Sequence, residues 1–322
     1  MTRYDVFNGD ADGLCALQQL HLSEPDAEQA VLITGAKREI GLLQQVSAIE
    51  GDRVTVLDIS LDKNRGPLLE LLQRGVSVRY VDHHYPGEIP SHPNLAVHIE
   101  TTADRGTSLL VDDLLQGRQR AWAVVGTFGD NFDKSATAAA QPLGLAQGAL
   151  EQLRELGILL NYNGYGASVA DLHFPPQDLF ARLRPYADPL EFVRCDEAFA
   201  ALQAGYAEDM ARAQALRPEQ SSETHLLVLL PAAAWARRVS GVYANALAQQ
   251  APERAHAMLT QLERGGYLVS VRAPINRPEG ADALCRQFET GGGRKAAAGI
   301  NQLPEGDYER FAEAFLAAFG EG

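Results

Sequence analysis

The sequence predicts an α/β fold, with a doubly wound parallel sheet in the first half of the chain and a smaller α/β domain at its C-terminal end. Short apolar runs alternate with helical stretches in the first half, and several of these runs stop at acidic residues. A polar stretch, 217–223, then precedes a second series of strands and helices. Strands separated by helices imply right-handed crossovers, and therefore parallel strands covered on both faces.

The elements of the first half follow from its apolar runs. Strands are expected at 4–8, 31–34, 54–57 and 76–81, where valine, isoleucine, leucine and aromatic residues predominate. Helices are expected between them at 13–20, 39–49 and 63–74. A further apolar run, 122–128, stops just before Asp130 and is grouped with the strands.

The elements of the second half begin after the polar stretch. Strands are expected at 225–230, 257–262 and 267–272, and helices at 242–250, at 282–288 and from Asp307 onward. We therefore predict a first domain over 1–190, a helical connector over 191–222 and a smaller domain over 223–322.

Composition limits the functions that the chain can have. With 322 residues, 46% of them hydrophobic and 22% charged, the chain has an ordinary globular composition and room for two domains. No apolar run is long enough to span a bilayer and no signal-peptide pattern is present, so we expect a cytoplasmic protein without membrane contact, with three reduced cysteines. The net charge of −14 disfavours duplex DNA as a partner. A small phosphorylated substrate or a short single-stranded oligonucleotide fits better, because bound metal ions invert the local field.

Acidic residues and histidines at the ends of the apolar runs are the main functional signal. They are Asp10, Asp12, Asp58, the Asp82-His83-His84 triplet and Asp130. Sites in parallel sheets form at the carboxyl ends of strands, and carboxylates that meet there raise each other's pKa unless a cation separates them. Alone, each segment has an ordinary alternative, such as a turn that caps a helix or a pair of surface histidines. Together they predict a site for one or two divalent metal ions.

A glycine-rich segment near the C-terminal end is the second signal. It contains Gly291, Gly292, Gly293, Arg294 and Lys295, followed by three alanines. The glycines would expose backbone N–H groups to an anion, the two cations suit phosphate, and the alanines are expected to start a helix directed at it. The alternative is a flexible turn before a helix of small residues. The spacing differs from that of a P-loop, since no serine or threonine follows Lys295.

These motifs, in this order, resemble those of the DHH/DHHA1 phosphoesterase superfamily, which includes RecJ-type exonucleases, nano-RNases, cyclic-dinucleotide phosphodiesterases and exopolyphosphatases. The resemblance covers Asn8-Gly9-Asp10-Ala11-Asp12-Gly13, Asp58, Asp82-His83-His84, Asp130 and the 291–299 segment. It implies an N-terminal DHH domain, a C-terminal DHHA1 domain and an active site in the cleft between them. It also implies two metal ions per chain, usually manganese, with Mg²⁺ or Co²⁺ as alternatives.

The resemblance further implies the metal ligands. Asp10 would bind one ion, Asp12 would bind the other, and Asp58 would bridge the two. His83 and Asp130 would complete the second site.

The remaining motif residues would contact these ligands or the substrate. Asp82 would orient His83, and His84 would face the substrate phosphate or the leaving group. The glycine segment, with Arg294 and Lys295, would hold the far phosphate or the end of a nucleotide.

The chain departs from the family pattern at two positions. Many members have a histidine upstream of the first aspartate, whereas Val6 and Asn8 stand here, and Asn8 offers a neutral oxygen as a metal ligand. The C-terminal glycines are commonly followed by histidine, whereas Arg294 has a permanent charge and cannot transfer a proton.

Two other segments are secondary candidates. Arg105 lies in a stretch that resembles the serine- and threonine-rich segment after the Asp-His-His run, and it would either contact phosphate or belong to a helix cap. The aromatic segment 161–166 would either stack a tyrosine on a base or form a turn between helices.

We therefore predict a metal-dependent phosphoesterase that uses two metal ions to activate water and hydrolyses phosphodiester or phosphomonoester bonds of short oligonucleotides or small nucleotides. Polyphosphate hydrolysis is the alternative reaction, favoured by Arg294, Lys295 and the asparagine of the first motif. A degenerate nucleotide-binding protein is the alternative of another class, because the absent histidine would leave one metal site empty. The sequence leaves open whether the chain forms a homodimer.

Overall fold

Each half of the chain forms a unit with its own β-sheet. The computed structural model describes residues 1–24, 29–102 and 104–320. Residue contacts divide the chain into Met1–Gly205 and Tyr206–Gly322, a division that falls inside the predicted connector, 191–222. Among the residues described, no helix is both long and apolar enough to cross a membrane.

The first unit is built around a parallel sheet. Its strands are β1 (Arg3–Asn8), β2 (Val31–Gly35), β3 (Arg53–Leu57), β4 (Ser77–Asp82) and β5 (Leu95–Ile99). Its helices are α1 (Ala11–Ser23), α2 (Leu61–Gln73), α3 (Thr107–Leu114), α4 (Arg120–Gly129), α5 (Asp133–Ala140), α6 (Gln147–Gly164), α7 (Pro176–Leu183), α8 (Pro189–Cys195) and α9 (Glu197–Gln214), the last of which continues into the second unit. The strand order is β2-β1-β3-β4-β5, and every neighbouring pair is parallel. The predicted α/β class is therefore confirmed.

Both faces of this sheet are covered, because successive side chains of a strand point to opposite sides. On one face, Val6 and Val56 pack in a cluster with Leu71 of α2. On the other, the ring of Phe7 lies 5.8 Å from that of Phe180 of α7. The doubly wound arrangement follows from this alternation.

The helix predicted at 39–49 is wrong. Only Leu42–Gln45 forms a helical turn there, of the 3₁₀ type. The side chain of Asn64 binds the segment from outside: its Oδ1 accepts from the Leu43 N–H at 3.2 Å and its Nδ2 donates to the Ile40 carbonyl at 2.7 Å. Hydrogen bonds from a distant side chain thus replace helical ones.

The apolar run at 122–128 is a helix rather than a strand. It lies within α4, where Trp122, Val125 and Phe128 are all buried. A helix buried on all sides has no polar stripe, so its sequence looks the same as that of a buried strand. Asp130 therefore follows a helix.

The predicted turn at 161–166 is also wrong for its first half, because 161–164 form the last turn of α6.

The second unit is built around a mixed sheet. Its strands are β6 (Gln220–Ser221), β7 (His225–Leu230), β8 (Ala255–Gln261), β9 (Tyr267–Arg272), β10 (Gly291–Gly293) and β11 (Ala297–Leu303), and its helices are α10 (Ala234–Gln250), α11 (Ala281–Cys285) and α12 (Tyr308–Phe319). The strand order is β10-β11-β9-β8-β7-β6, in which β7 and β8 are parallel and the other pairs antiparallel. Phe311 and Phe315 of α12 and Leu284 of α11 belong to its core.

The glycine-rich segment forms a β-hairpin, so the helix predicted for its alanines is wrong. Gly292 pairs with Gly299 across β10 and β11, and the turn is closed by hydrogen bonds between Arg294 and Ala297. A Cβ at Gly291 would lie 1.7 Å from the Cys285 carbonyl oxygen, so this glycine is required by packing. The glycines and alanines of this segment allow neighbouring backbones to approach closely. The helix was predicted from the helix propensity of alanine, which does not take such packing into account.

Candidate metal centre

The predicted acidic residues meet where β1 and β3 lie side by side. β2 lies on one side of β1 and β3 lies on the other. The connection from β1 to β2 and the connection from β2 to β3 therefore run in opposite directions across the sheet. A crevice forms outside the carboxyl ends of strands at such a point. Asp10 follows β1, Asp58 follows β3, and Asp82 ends β4. Asp130 reaches the same place from the end of α4.

Glycines bring the helices of the site close together. A Cβ at Gly129, the last residue of α4, would lie 2.2 Å from the Ala11 Cβ in α1. A Cβ at Gly157 in α6 would lie 2.3 Å from the Val125 carbonyl oxygen in α4. These contacts set the spacing of α1, α4 and α6, which carry or adjoin the polar groups described below.

Asp10 is the N-cap of α1. Its Oδ1 accepts a hydrogen bond from the Gly13 N–H at 3.1 Å, and the side chain is buried. A Cβ at Gly13 would lie 2.2 Å from the Asn8 carbonyl oxygen, so the tight turn after β1 depends on this glycine.

Asp12 joins the first helix to the third. Its two carboxylate oxygens accept hydrogen bonds from the backbone N–H groups of Thr107, at 2.6 Å, and Ser108, at 2.8 Å, at the start of α3. Burial, followed by the charge of Asp130, raises the pKa of Asp12 to about 6.

Asp58 is held in a strained backbone conformation. Its φ of 60° lies in the left-handed region, which is uncommon for residues other than glycine and is often found at functional sites. Oδ1 of this buried side chain accepts a hydrogen bond from the Thr107 hydroxyl at 3.2 Å. Burial and the charges of Asp10 and Asp12 raise the pKa of Asp58 well above its usual value.

His83 faces two of these carboxylates. Its Nε2 lies 3.4 Å from Asp58 Oδ1 and 3.6 Å from Asp130 Oδ2. Although burial by itself lowers it, the pKa of His83 is raised to about 10 by the hydrogen bond and charge of Asp58 and by the charges of Asp12 and Asp130. In the metal-free chain His83 is therefore the positive partner of these acids.

Asp82 orients His84 rather than His83, contrary to the role that the family resemblance implied. Its Oδ1 lies 2.7 Å from His84 Nδ1 and accepts the backbone N–H of His83 at 2.9 Å. Residues two apart in an extended chain lie on the same side, which places the imidazole of His84, not that of His83, beside this carboxylate. The side chain of His84 is 44% exposed, so its ring is accessible from solvent.

The potential ligand atoms form two overlapping groups. One comprises Asp58, His83 and His84, the other Asp12, His83 and Asp130, and the ligand atoms within each group lie within 4.8 Å of one another. Carboxylate oxygens suit Mg²⁺ and Mn²⁺, and imidazole nitrogens suit transition metals. The raised pKa values of Asp12 and Asp58 mark buried acids without a full counter-charge. This donor set therefore fits a divalent ion.

A lysine that the sequence analysis did not identify occupies the other side of the site. Nζ of Lys37, two residues after β2, lies 2.5 Å from Asp10 Oδ2, 3.0 Å from Asp130 Oδ1 and 3.0 Å from Asn161 Oδ1. Burial lowers its pKa, but the charges of Asp10 and Asp130 outweigh burial and hold the pKa of Lys37 well above its usual value. Although burial raises the pKa of Asp10, the charge of Lys37 holds it below the usual value. The available signal was position: Lys37 follows a strand end, as Asp10 and Asp58 do.

Asn8 and Arg105 have other contacts. The Asn8 Nδ2 donates to the Lys37 carbonyl at 3.5 Å, and its buried Oδ1 has no partner among the described residues. The guanidinium of Arg105 pairs with Asp113 and lies 3.8 Å from Glu100. A metal role for Asn8 and a phosphate contact for Arg105 stay predictions.

The predicted substrate-binding residues of the glycine segment belong to the second unit. Arg294 is exposed at the hairpin turn, and Nζ of Lys295 lies 3.8 Å from Glu279 Oε1 with its side chain 72% exposed. Their contact with a substrate phosphate stays a prediction.

Solved structures of DHH-domain proteins resemble this chain. Exonuclease RecJ bound to manganese matches with a TM-score of 0.64 and 20% identity, over 98% of this chain and 89% of that one. The DHH domain of a protein from a family of ribosomal proteins matches with a TM-score of 0.69 and 13% identity, over 98% and 86% of the two chains. The pGpG-specific phosphodiesterase PggH of Vibrio cholerae matches with a TM-score of 0.51 and 12% identity, over 98% of both.

The similarity lies in structure rather than in overall sequence. No family sequence profile matches the chain, and no curated protein matches it in sequence. The chain therefore shares its fold with these solved structures, and this is the fold that the order of the motifs predicted.

Proposed function

We propose that this chain, which has the DHH-superfamily fold, is a metal-dependent phosphoesterase that hydrolyses short oligonucleotides or small nucleotides. The observation that carries the proposal is the convergence of Asp12, Asp58, His83 and Asp130 at the carboxyl edge of the parallel sheet. Buried acids and a histidine in this arrangement are costly unless they bind a cation. The neighbours named above include an exonuclease and a phosphodiesterase, which supports the same class of reaction.

The residues have separate tasks in the proposed reaction. A divalent ion, when bound, supplies positive charge that neutralises the phosphate and activates water. Asp12 is fixed by two backbone N–H groups, and Asp58 by the Thr107 hydroxyl, so both carboxylates are oriented before an ion arrives. His83 must lose its proton to become a ligand.

His84 is the proposed general acid. The carboxylate of Asp82 holds its Nδ1 at 2.7 Å, and the exposed ring leaves Nε2 available for a substrate oxygen. A proton on Nε2 would pass to the leaving oxygen as the phosphorus–oxygen bond breaks. Asp82 would hold the ring of His84 in a fixed orientation towards the substrate.

The substrate class follows from charge and from the neighbours. The net charge of −14 is unfavourable for long duplex DNA, whereas a short ligand can be held by the metal centre and a few cations. We propose manganese as the ion, since the RecJ neighbour was solved with it. Arg294 and Lys295 are proposed to bind the far phosphate.

The test is a hydrolysis panel with Mn²⁺, Mg²⁺ or Co²⁺. Its substrates are linear dinucleotides, cyclic dinucleotides, adenosine 3′,5′-bisphosphate and polyphosphate, with Asp58→Asn as the blank. We expect metal-dependent cleavage of linear dinucleotides that is lost in the variant. Cleavage of polyphosphate alone would move the proposal to a phosphoanhydride hydrolase. Tight nucleotide binding without any hydrolysis would overturn catalysis in favour of a binding protein.

A further inference from the structure

The ammonium of Lys37 lies in a complete cage of oxygen acceptors. Its three N–H donors face Asp10 Oδ2 at 2.5 Å, Asp130 Oδ1 at 3.0 Å and Asn161 Oδ1 at 3.0 Å. The ring of Tyr165 lies nearby, with its centroid 5.4 Å from Nζ. Two carboxylates and a side-chain amide are also the oxygen donors that a divalent ion would use. The position is therefore a cation site that the chain fills with its own cation.

The backbone holds this lysine in place. The Lys37 N–H donates to the Gly164 carbonyl at 2.8 Å, and the Lys37 carbonyl accepts from Asn8 Nδ2 at 3.5 Å. The side chain is 24% exposed, and α1, α4 and α6, which bear or adjoin its three acceptors, are in close contact. Lys37 is thus anchored at both its backbone and its charged end.

The two sides of the site differ in how their charge is balanced. On the side of Asp10, the ammonium is in contact with the carboxylate. On the side of Asp12 and Asp58, the basic side chains that the structure shows within 4 Å of either carboxylate, among described residues, are the imidazoles of His83 and His84. Asp130 joins the two sides, because its Oδ1 faces Lys37 and its Oδ2 faces His83.

We propose that the ammonium of Lys37 takes the place of one of the two metal ions implied by the family resemblance, so that each chain binds a single divalent ion at Asp12, Asp58, His83 and Asp130. This rests on the proposed function, since it describes how the same centre is charged. The absent upstream histidine fits this arrangement, because a position filled by lysine needs no further ligand.

The test counts ions rather than turnover. Mn²⁺ is titrated into the metal-free full chain by calorimetry, and the loaded protein is examined by electron paramagnetic resonance, which distinguishes an isolated Mn²⁺ from a coupled pair. Lys37→Met removes the charge at similar volume, and Lys37→Arg retains it. Lys63→Met is the matched control, because Lys63 is a lysine 64% exposed on α2.

We expect one ion per chain and an isolated-ion spectrum for the natural chain, Lys37→Arg and Lys63→Met. For Lys37→Met we expect two ions and a coupled spectrum. Two ions in the natural chain, or one in a folded Lys37→Met, would overturn the inference and leave the proposed function standing. No ion in any variant would overturn the proposed function and the inference with it. If Lys37→Met fails to fold, the ion count of the natural chain still decides.

Discussion

Asp130 turns one carboxylate oxygen towards Lys37, at 3.0 Å, and the other towards His83, at 3.6 Å. The residue therefore connects the lysine side of the centre to the side with the candidate metal ligands. A substitution at Asp130 should therefore disturb both the contact with Lys37 and the contact with His83.

Asp58→Asn should abolish metal binding and leave the fold intact. The amide keeps the shape of the side chain, and asparagine tolerates the left-handed backbone at φ 60° better than most residues. Asp58→Ala should lose metal as well but be less stable than Asp58→Asn by about 1 kcal/mol, because alanine is strained there. Urea unfolding with a chelator present, together with Mn²⁺ titration, measures both effects. Metal affinity in Asp58→Asn equal to that of the natural chain would exclude Asp58 as a ligand.

Metal affinity should rise with pH across the neutral range. The pKa of His83 is about 10 in the metal-free chain, so below that pH the ion must displace a proton from the ring. Between about pH 6.5 and 8.5 the affinity should rise at least about tenfold per unit, because the pKa of Asp58 is raised as well. Near pH 6 and below, protonation of Asp12, whose pKa is about 6, should make the dependence steeper. Calorimetry in buffers of different ionisation enthalpy would show at least about one proton released per ion at neutral pH, and a pH-independent affinity would contradict this assignment.

Lys37→Met should destabilise the metal-free chain by about 3 kcal/mol, since it leaves two buried carboxylates without their cation. Addition of Mn²⁺ should restore much of that loss by binding in the vacated position. Thermal unfolding with and without Mn²⁺ measures the recovery, and Lys63→Met should show no such metal-dependent difference. A variant as stable as the natural chain in chelator would mean that the ion pair contributes nothing.

Two neighbouring glycines should separate packing from ligand binding in the C-terminal hairpin. Gly291→Ala should destabilise the second unit by about 2 kcal/mol or more, because its Cβ would lie 1.7 Å from the Cys285 carbonyl oxygen. Gly292→Ala meets nothing within 4 Å and should change stability by less than about 0.5 kcal/mol. A stable Gly292→Ala with a raised KM would support a substrate contact at the hairpin. An unchanged KM would argue against a substrate contact at Gly292 and leave packing as the role of Gly291.

The sequence predicted the acids of the centre better than the elements that carry them. Asp10, Asp58 and Asp82 were placed correctly, because each lies at or just after the end of a short apolar strand whose pattern is plain. Asp130 was identified as a member of the group although its run is a helix, since a fully buried helix and a buried strand have the same composition.

Lys37 and the partner of Asp82 could not be predicted in this way. Lys37 reaches the centre because β2 lies beside β1 and because α6 supplies an amide oxygen, and both facts depend on the packing of distant segments. A lysine after a strand is otherwise ordinary. The contact of Asp82 with His84 depends on the path of the backbone after β4, which cannot be predicted from the Asp-His-His motif alone.

Lys37 is part of the polypeptide, so some of the positive charge in the centre is present in every chain that is synthesised, before any metal ion binds. Asp10 and Asp130 gain a partner as soon as the strands and helices assemble, whatever the supply of metal ions. The chain can thus fold first and bind its metal ion later. If the proposed function holds, a chain without metal would be folded but inactive, and it could bind its ion without refolding.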